Sequence, residues 1–227
     1  MDAKPVLIHV ALLTFLLLIV VAVTTSLLQN RESRKETTYQ QASPKMVIRE
    51  NDHFFGNRNA SVKIVEYAEP ECTYCKRLHP VLLRVVRGNE GKVALVYRHF
   101  PLPRHPKSFV EATALECAAE IGGDSSFWAY LEALYKATPS DNKIDLAILP
   151  QLARNIGIAE DTFNQCIASD HHKAHVRDDI ESGFALDVNS VPQLFVLAPN
   201  GKVFVFRSSP SYATLSATVE AALGLAN

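Results

Sequence analysis

The pattern of apolar and polar positions predicts a strand, a helix and a second strand in the middle of the chain. Val62–Ala68 is rich in β-branched residues and nearly alternates in polarity, which is typical of a strand. Apolar residues recur with helical spacing over Cys75–Arg87, and Val93–Tyr97 forms a second strand-like run. Because a helix connects them, the two strands are expected to be parallel, as in a βαβ unit.

A helical region follows this unit, and the chain then returns to strands. Helices are predicted at Ser108–Ile121, Ser125–Ala137, Ile144–Ile156, Asp161–Ala168 and His172–Ala185. The pair Gly122 and Gly123 is expected to end the first of them. Two strands and a closing helix are predicted at Gln193–Leu197, Lys202–Phe206 and Ser211–Leu223. The order β-α-β, helices, β-β-α belongs to the α/β class.

The N-terminal segment predicts a membrane anchor. Val6–Leu28 is apolar apart from one histidine and small hydroxyl residues, and no charged residue lies between Pro5 and Asn30. A helix of about 20 residues spans the hydrocarbon core of a bilayer. We therefore predict an uncleaved single-span transmembrane helix, or signal-anchor, in residues 1–30 and a polar tether in residues 31–46. A cleaved signal peptide and a buried core helix are the alternatives.

The charges that flank this segment leave its orientation open. Lys4 precedes the apolar run, whereas Arg31, Arg34 and Lys35 follow it. The positive-inside rule alone would place the rest of the chain in the cytoplasm, but long domains translocate largely regardless of flanking charge.

Composition excludes several classes of protein. The chain has 227 residues, of which 48% are hydrophobic, and its net charge is −1 because 23 basic residues nearly balance 24 acidic ones. Disordered chains are less apolar, and nucleic-acid-binding proteins are usually basic, so no nucleic-acid partner is expected. The mean hydropathy of +0.02 is too low for a protein with many membrane spans.

The chemistry of the chain centres on Cys72-Thr73-Tyr74-Cys75, at the junction of the first strand and the first helix. A cysteine at a helix N-terminus faces free backbone N–H groups and the positive end of the helix dipole, and both favour its thiolate. The motif could also be half of a zinc site. Such a site commonly needs a second cysteine pair, and the remaining cysteines, Cys117 and Cys166, are isolated from each other. A redox pair is therefore favoured, in which Cys72 reacts with the substrate and Cys75 resolves the mixed disulfide.

Val191-Pro192 directly precedes the returning strand. A proline at this position can be an ordinary edge device. In a chain with this order of elements, it also suggests a cis-proline loop that lies against the two sulfurs and presents its backbone to an extended substrate.

Several motifs together resemble the DsbA-like thiol–disulfide oxidoreductases. They are EYAEPECTYC, Pro80 within the first helix, YRHFPLPRHP, FNQC and VPQLFV. The resemblance implies a thioredoxin fold in residues 47–104 and 188–227, with a helical domain inserted at residues 105–187. It also implies that Cys72 is the nucleophile, that Pro192 is cis and that Val191 contacts the substrate backbone.

The same resemblance predicts roles for the residues around the two cysteines. It implies that Glu66 is a buried acid that relays a proton to Cys75, whereas its position on a strand also allows an ordinary outward-facing glutamate. Thr73 and Tyr74, expected at the substrate-binding surface, replace the Pro-His pair of strongly oxidising members. That replacement predicts a less oxidising couple. No bound cofactor is expected, since electrons pass between sulfurs.

Cys117 and Cys166 can be two buried free thiols or a structural disulfide. Relatives with a second disulfide favour the pairing, which would itself indicate an oxidising compartment.

His171, His172 and His175 could bind a metal ion, but such clusters are more often solvated helix ends, so no metal site is predicted. His99 and His105 match the family motif and are expected to be structural or groove-lining.

These features favour a membrane-tethered oxidase that exchanges its disulfide with cysteines of exported or cell-surface proteins. Its domain is expected outside the cytoplasmic membrane, where a quinone-linked membrane thiol oxidase would recycle it. A reductase or isomerase of the same family, served by a membrane reductase, is the nearest alternative. A chaperone or assembly module without exchange activity is the other.

Overall fold

A five-stranded sheet lies at the centre of the computed structural model, which describes residues 19, 21–25 and 46–225. Its strands are β1 (His53–Gly56), β2 (Val62–Ala68), β3 (Val93–His99), β4 (Gln193–Leu197) and β5 (Val203–Phe206). They lie in the order β1-β3-β2-β4-β5. Strands β2 and β3 are parallel, which confirms the predicted βαβ unit, and the other neighbouring pairs are antiparallel.

Strand β1 was absent from the sequence-based prediction. It has only four residues, HFFG, and it pairs with β3, some 40 positions further along, from His53↔Tyr97 to Gly56↔Ala94. So short a segment carries little periodicity, and its extended conformation depends on a partner that is distant in sequence. Strand β2, by contrast, is buried along nearly its whole length, as expected for a central strand covered on both faces.

The helices cover the sheet and form the inserted region. They are α1 (Thr73–Arg87), α2 (Lys107–Ala137), α3 (Leu149–Asn155), α4 (Glu160–Ser169), α5 (Lys173–Phe184) and α6 (Tyr212–Leu223), with a 3-10 turn at Leu146–Ile148. Helix α2 is interrupted at the predicted glycine stop, because Gly122 (φ −136°) and Gly123 (φ +67°) leave the helical conformation. A positive φ is far more favourable for glycine than for other residues.

The predicted helix Ile144–Ile156 is wrong in its first half. The 3-10 turn occupies that part, where the Asp145 side chain accepts a 3.0 Å hydrogen bond from the N–H of Ala147. The α-helix begins only at Leu149, which places Pro150 in the first turn. Proline is tolerated there because the N–H it lacks would have no partner within the helix.

One apolar core joins the sheet to the inserted helices. Within the insertion, Cys117 on α2 and Cys166 on α4 form a disulfide with an S–S length of 2.06 Å. The alternative of two free thiols therefore does not describe this structure.

The predicted membrane anchor falls mostly outside the described residues. Ile19 and residues 21–25 are helical, whereas the rest of Val6–Leu28 and the tether up to residue 45 lie outside the described ranges. Within the described part of the chain, no helix combines the length and apolar character needed to cross a bilayer. The anchor therefore stays a prediction.

Candidate active site

Cys72 is the N-cap residue of α1, and its Sγ accepts a 3.1 Å hydrogen bond from the backbone N–H of Cys75. The helix therefore begins at Thr73 rather than at the predicted Cys75. Both thiols are free, and Cys72 retains 3% of its exposure while Cys75 has none. Cys72 is therefore the one of the two that keeps some contact with solvent.

The electrostatic environment separates the two thiols. A hydrogen bond from the Cys75 side chain is the main cause that lowers the pKa of Cys72, with further help from backbone N–H groups and opposition from burial and Glu69. Burial raises the pKa of Cys75 well above its usual value, and the charges of Cys72 and Glu66 add to this effect. Cys72 is therefore the thiol that ionises more readily.

The loop before β4 lies against the reactive sulfur. The Val191 carbonyl oxygen accepts a hydrogen bond from the Cys72 thiol at 3.6 Å, and the Val191–Pro192 peptide bond is cis. Strand β4 pairs antiparallel with β2, which leads directly to the cysteine motif, and this pairing brings the loop to α1. The structure therefore places Val191 and Pro192 beside Cys72.

The two residues between the cysteines face outward to different extents. Thr73 is half-buried, whereas Tyr74 is 61% exposed with the Arg77 guanidinium 4.8 Å from its ring centroid. Both follow Cys72 directly in the motif, and Tyr74, Arg77 and Pro210 line a surface cleft of about 390 Å³.

Glu66 is fully buried on β2, between Tyr97 of β3 and Leu194 of β4 in the sheet register. The outward-facing alternative is therefore wrong. Neither carboxyl oxygen has a hydrogen-bond partner among the described residues. Burial, with a smaller contribution from the charge of Cys72, raises the pKa of Glu66 to about 8. The group can therefore exchange a proton near neutral pH.

Three further buried carboxyl groups lie close to this site, and the sequence-based prediction did not single them out. Glu69 accepts hydrogen bonds from the Leu102 N–H at 2.7 Å and from the His105 ring. Glu71 accepts one from the Lys143 N–H at 2.8 Å and another from the Thr138 hydroxyl. The glutamates of EYAEPEC were the available signal, because Glu69 and Glu71 lie between the end of β2 and Cys72.

Glu111 on α2 is the third of these carboxyl groups. Burial, together with the charges of Glu71 and Glu69, raises the pKa of Glu111 to about 8. Its oxygens have no hydrogen-bond partner among the described residues. It therefore resembles Glu66 in being a buried acid that can be neutral at physiological pH.

The predicted histidine cluster divides in the structure. His171 is exposed and bonds Glu120 through Nε2 at 2.6 Å, as expected for a solvated helix end. His175 instead turns inward, and its Nδ1 lies 2.7 Å from Glu116 on α2. The prediction of a solvated cluster is therefore wrong for His175, because the partner it packs against is distant in sequence.

A family model described as Thioredoxin matches residues 49–221. The chain belongs to the thioredoxin family. Several DsbA-type structures share the fold of this family member. Pseudomonas aeruginosa DsbA2 has a TM-score of 0.66 and 22% identity over 80% of this chain and 98% of its own. Bacillus subtilis BdbD, in its oxidised form, has a TM-score of 0.67 and 22% identity over 82% of this chain and 97% of its own.

Among curated proteins, the chain is similar to the Na(+)/H(+) antiporter NhaA 1 of Mycolicibacterium gilvum. The two are 34% identical over 156 residues, which are 67% of this chain but only 24% of the antiporter. The chain thus spans about a quarter of the length of such relatives. The structural neighbours and this chain share a thioredoxin fold of the DsbA type.

Proposed function

We propose that this protein is an oxidase that donates its Cys72–Cys75 disulfide to cysteines of exported or cell-surface proteins. The observation that carries the proposal is the asymmetry of the pair. Cys72 lies at the helix N-terminus with its Sγ 3.1 Å from the backbone nitrogen of Cys75, whereas Cys75 is fully buried. This arrangement directs attack to Cys72 and makes Cys75 the leaving and resolving thiol.

The proposed reaction moves two electrons from a substrate dithiol to the enzyme. A substrate thiolate attacks Cys72 Sγ, the Cys72–Cys75 bond breaks, and Cys75 leaves with the electron pair and then takes up a proton. A second substrate thiolate attacks the substrate sulfur of the mixed disulfide, and Cys72 leaves as a thiolate. The substrate gains a disulfide, and the enzyme is left with two reduced cysteines.

Glu66 is proposed to supply or accept the proton of Cys75. The Cys75 thiol is buried with a raised pKa, so an isolated thiolate there would be costly. The pKa of Glu66 is near 8, and the charge of Glu66 contributes to the raised pKa of Cys75, so the two groups are electrostatically coupled. A group that titrates close to the working pH is suited to general acid–base catalysis.

The surface around Cys72 is proposed to bind an extended segment of the substrate. Val191 presents backbone groups beside the reactive sulfur, and Thr73 and Tyr74 flank it on the helix side. Main-chain contacts of this kind tolerate many substrate sequences, which fits an enzyme that acts on different unfolded chains.

The direction of exchange depends on how strongly the reduced pair is stabilised. Hydrogen bonds at the helix N-terminus lower the pKa of Cys72, so they stabilise its thiolate and favour an oxidising couple. The charge of the buried Glu69 opposes this effect, because it raises the pKa of Cys72. In addition, no histidine lies between the two cysteines to stabilise the thiolate. A reductase or isomerase therefore remains the alternative within the same site.

We also propose that residues 1–30 anchor the protein and that its domain lies outside the cytoplasmic membrane. The apolar run supports the anchor, and the Cys117–Cys166 disulfide supports an oxidising compartment. A quinone-linked membrane thiol oxidase would then take the two electrons and restore the Cys72–Cys75 disulfide.

A single-turnover assay tests the proposal directly. The oxidised full chain, in detergent, is mixed with a two-cysteine peptide whose fluorescence is quenched when its disulfide closes. One peptide should be oxidised per chain, Cys72→Ser should abolish the reaction, and the Cys117→Ala/Cys166→Ala control should retain it. Transfer only in the reverse direction, from reduced chain to oxidised peptide, would identify a reductase. No disulfide transfer in either direction would contradict exchange activity and favour a chaperone or assembly module.

A further inference from the structure

The carboxylate of Glu116, only 3% exposed, is surrounded by three imidazoles. His53 Nε2 and His99 Nε2 both lie 2.7 Å from its Oε1, and His175 Nδ1 lies 2.7 Å from its Oε2. These residues come from β1, β3, α2 and α5, so the cluster joins the sheet to the inserted helices. None of them belongs to the cysteine site.

Three of these groups have the geometry of a metal site. One ligand atom from each of His53, Glu116 and His175 can be chosen so that all lie within 4.8 Å of one another. Tetrahedral zinc with bonds of about 2.1 Å holds its ligands about 3.4 Å apart. The present contacts of 2.7 Å would therefore have to open by less than about 1 Å.

The hydrogen bonds around the cluster fix the orientation of the His53 ring. The His53 Nδ1 lies 3.2 Å from Asp124 Oδ1, which favours the tautomer with its proton on Nδ1. Nε2 then faces the Glu116 carboxylate at 2.7 Å, where either a second proton on the ring or a bound metal ion can balance the negative charge. The chain carboxylate–histidine–metal is a common way to orient a ligating imidazole.

His99 is suited to hold the carboxylate rather than to bind the ion. It is fully buried, and its Nε2 can donate to Glu116 Oε1, which leaves Oε2 directed at His175. Ligating carboxylates are usually fixed by such a hydrogen bond.

The cluster is reachable from solvent. A surface cleft of about 410 Å³ is lined by His53, Glu116 and His175 and by four further carboxylates, from Glu50, Asp52, Glu120 and Asp124. Arg58 is also part of the lining. This wall, with more carboxylates than cations, favours the entry of a cation, and the cleft has room for water as a fourth ligand.

We propose that His53 Nε2, Glu116 and His175 Nδ1 bind a divalent transition-metal ion, with Zn²⁺ as the fitting species. Two imidazoles and a carboxylate are a ligand set typical of zinc sites that keep one open position. Since the ligands come from β1, α2 and α5, the ion would tie the edge of the sheet to the insertion.

The test is zinc binding by the full chain in detergent, measured by competition with a chromophoric chelator. The Cys72–Cys75 pair is kept oxidised, because reduced thiols also bind zinc. One Zn²⁺ per chain is expected, and Co²⁺ in its place should give the intense visible bands of a tetrahedral site. His175→Ala should weaken binding by more than about 100-fold and Asp124→Asn by about 10- to 100-fold.

Matched controls decide between this cluster and its neighbours. His171→Ala, on the exposed pair with Glu120, should leave the affinity unchanged within about twofold, and Cys72→Ser/Cys75→Ser should still bind one ion. Asp124 is partly exposed, so Asp124→Asn reports on the site even if His175→Ala fails to fold, which circular dichroism checks. Absence of stoichiometric binding, or loss with His171→Ala but not with Asp124→Asn, would overturn the proposal.

Discussion

The backbone N–H of Cys75 lies 3.1 Å from the Sγ of Cys72 and donates a hydrogen bond to it. The contact exists because Cys72 occupies the N-cap of α1, where the first N–H groups have no partner within the helix. It favours a negative charge on Cys72 and none on Cys75. The two cysteines of one motif therefore have different chemical roles.

The first prediction concerns this difference. Cys75→Ser should leave a Cys72 thiol that forms a mixed disulfide with a substrate but cannot be resolved by its neighbour. The trapped complex should be visible by mass spectrometry under non-reducing conditions and should disappear with reductant. Cys72→Ser is the matched control, because Cys75 is buried and should trap nothing. Equal trapping by the two variants would contradict the assigned roles.

The second prediction is a pH dependence that arises from Glu66. Its pKa is raised by burial to about 8 in the folded protein, so the folded state holds a proton that the unfolded state has lost. The stabilising contribution of the protonated group is thus complete below about pH 4.5 and is lost as the pH rises through about 8. Glu66→Gln keeps the group neutral and should be more stable than wild type at pH 9, by roughly 3–5 kcal/mol, and about equal at pH 4.

Urea unfolding of both proteins, with Cys72 and Cys75 reduced, measures this difference. Glu220→Gln, on the exposed face of α6, is the control and should change stability by less than about 0.5 kcal/mol at either pH. A Glu66→Gln advantage that did not grow with pH would show that the carboxyl group is not protonated in the folded state.

The third prediction concerns the disulfide of the insertion. Cys117 and Cys166 are 49 residues apart, and closing such a loop is worth about 4 kcal/mol in the chain-entropy model. Cys117→Ala/Cys166→Ala should therefore lower the free energy of unfolding by about 2–4 kcal/mol. The rate at which Cys72 reacts with a thiol reagent should stay the same. A large change in that rate with little loss of stability would assign the disulfide a redox role instead.

The elements with strong local patterns could be predicted from the sequence. The βαβ unit and the glycine stop in α2 both depend on nearby residues. The cysteine motif could also be placed, because its position between strand and helix follows from the same patterns.

Features that depend on distant partners could not be predicted. Strand β1 is defined by pairing with β3, and the burial of Glu111 depends on how α2 packs against the sheet. The Glu116 cluster combines His53 with His175, which are 122 positions apart in the sequence. Spacing along the chain carries no signal for such contacts, since they arise only when the fold brings the elements together.

The fourth prediction concerns the location of the domain. If residues 1–30 span the membrane with the domain outside, the full chain should fractionate with membranes and resist extraction by high salt. Protease added to intact spheroplasts should then digest the domain. Protection of the domain in intact spheroplasts, with digestion only after lysis, would place it in the cytoplasm and contradict its proposed supply of disulfides to exported proteins.

The reduction potential of the Cys72–Cys75 pair, measured by equilibration of the full chain with glutathione buffers, tests the central claim most directly. Thioredoxin lies at about −270 mV and DsbA at about −120 mV. An oxidase that donates disulfides should have a value above about −180 mV. A value near or below about −250 mV would contradict the oxidase assignment and identify a reductase.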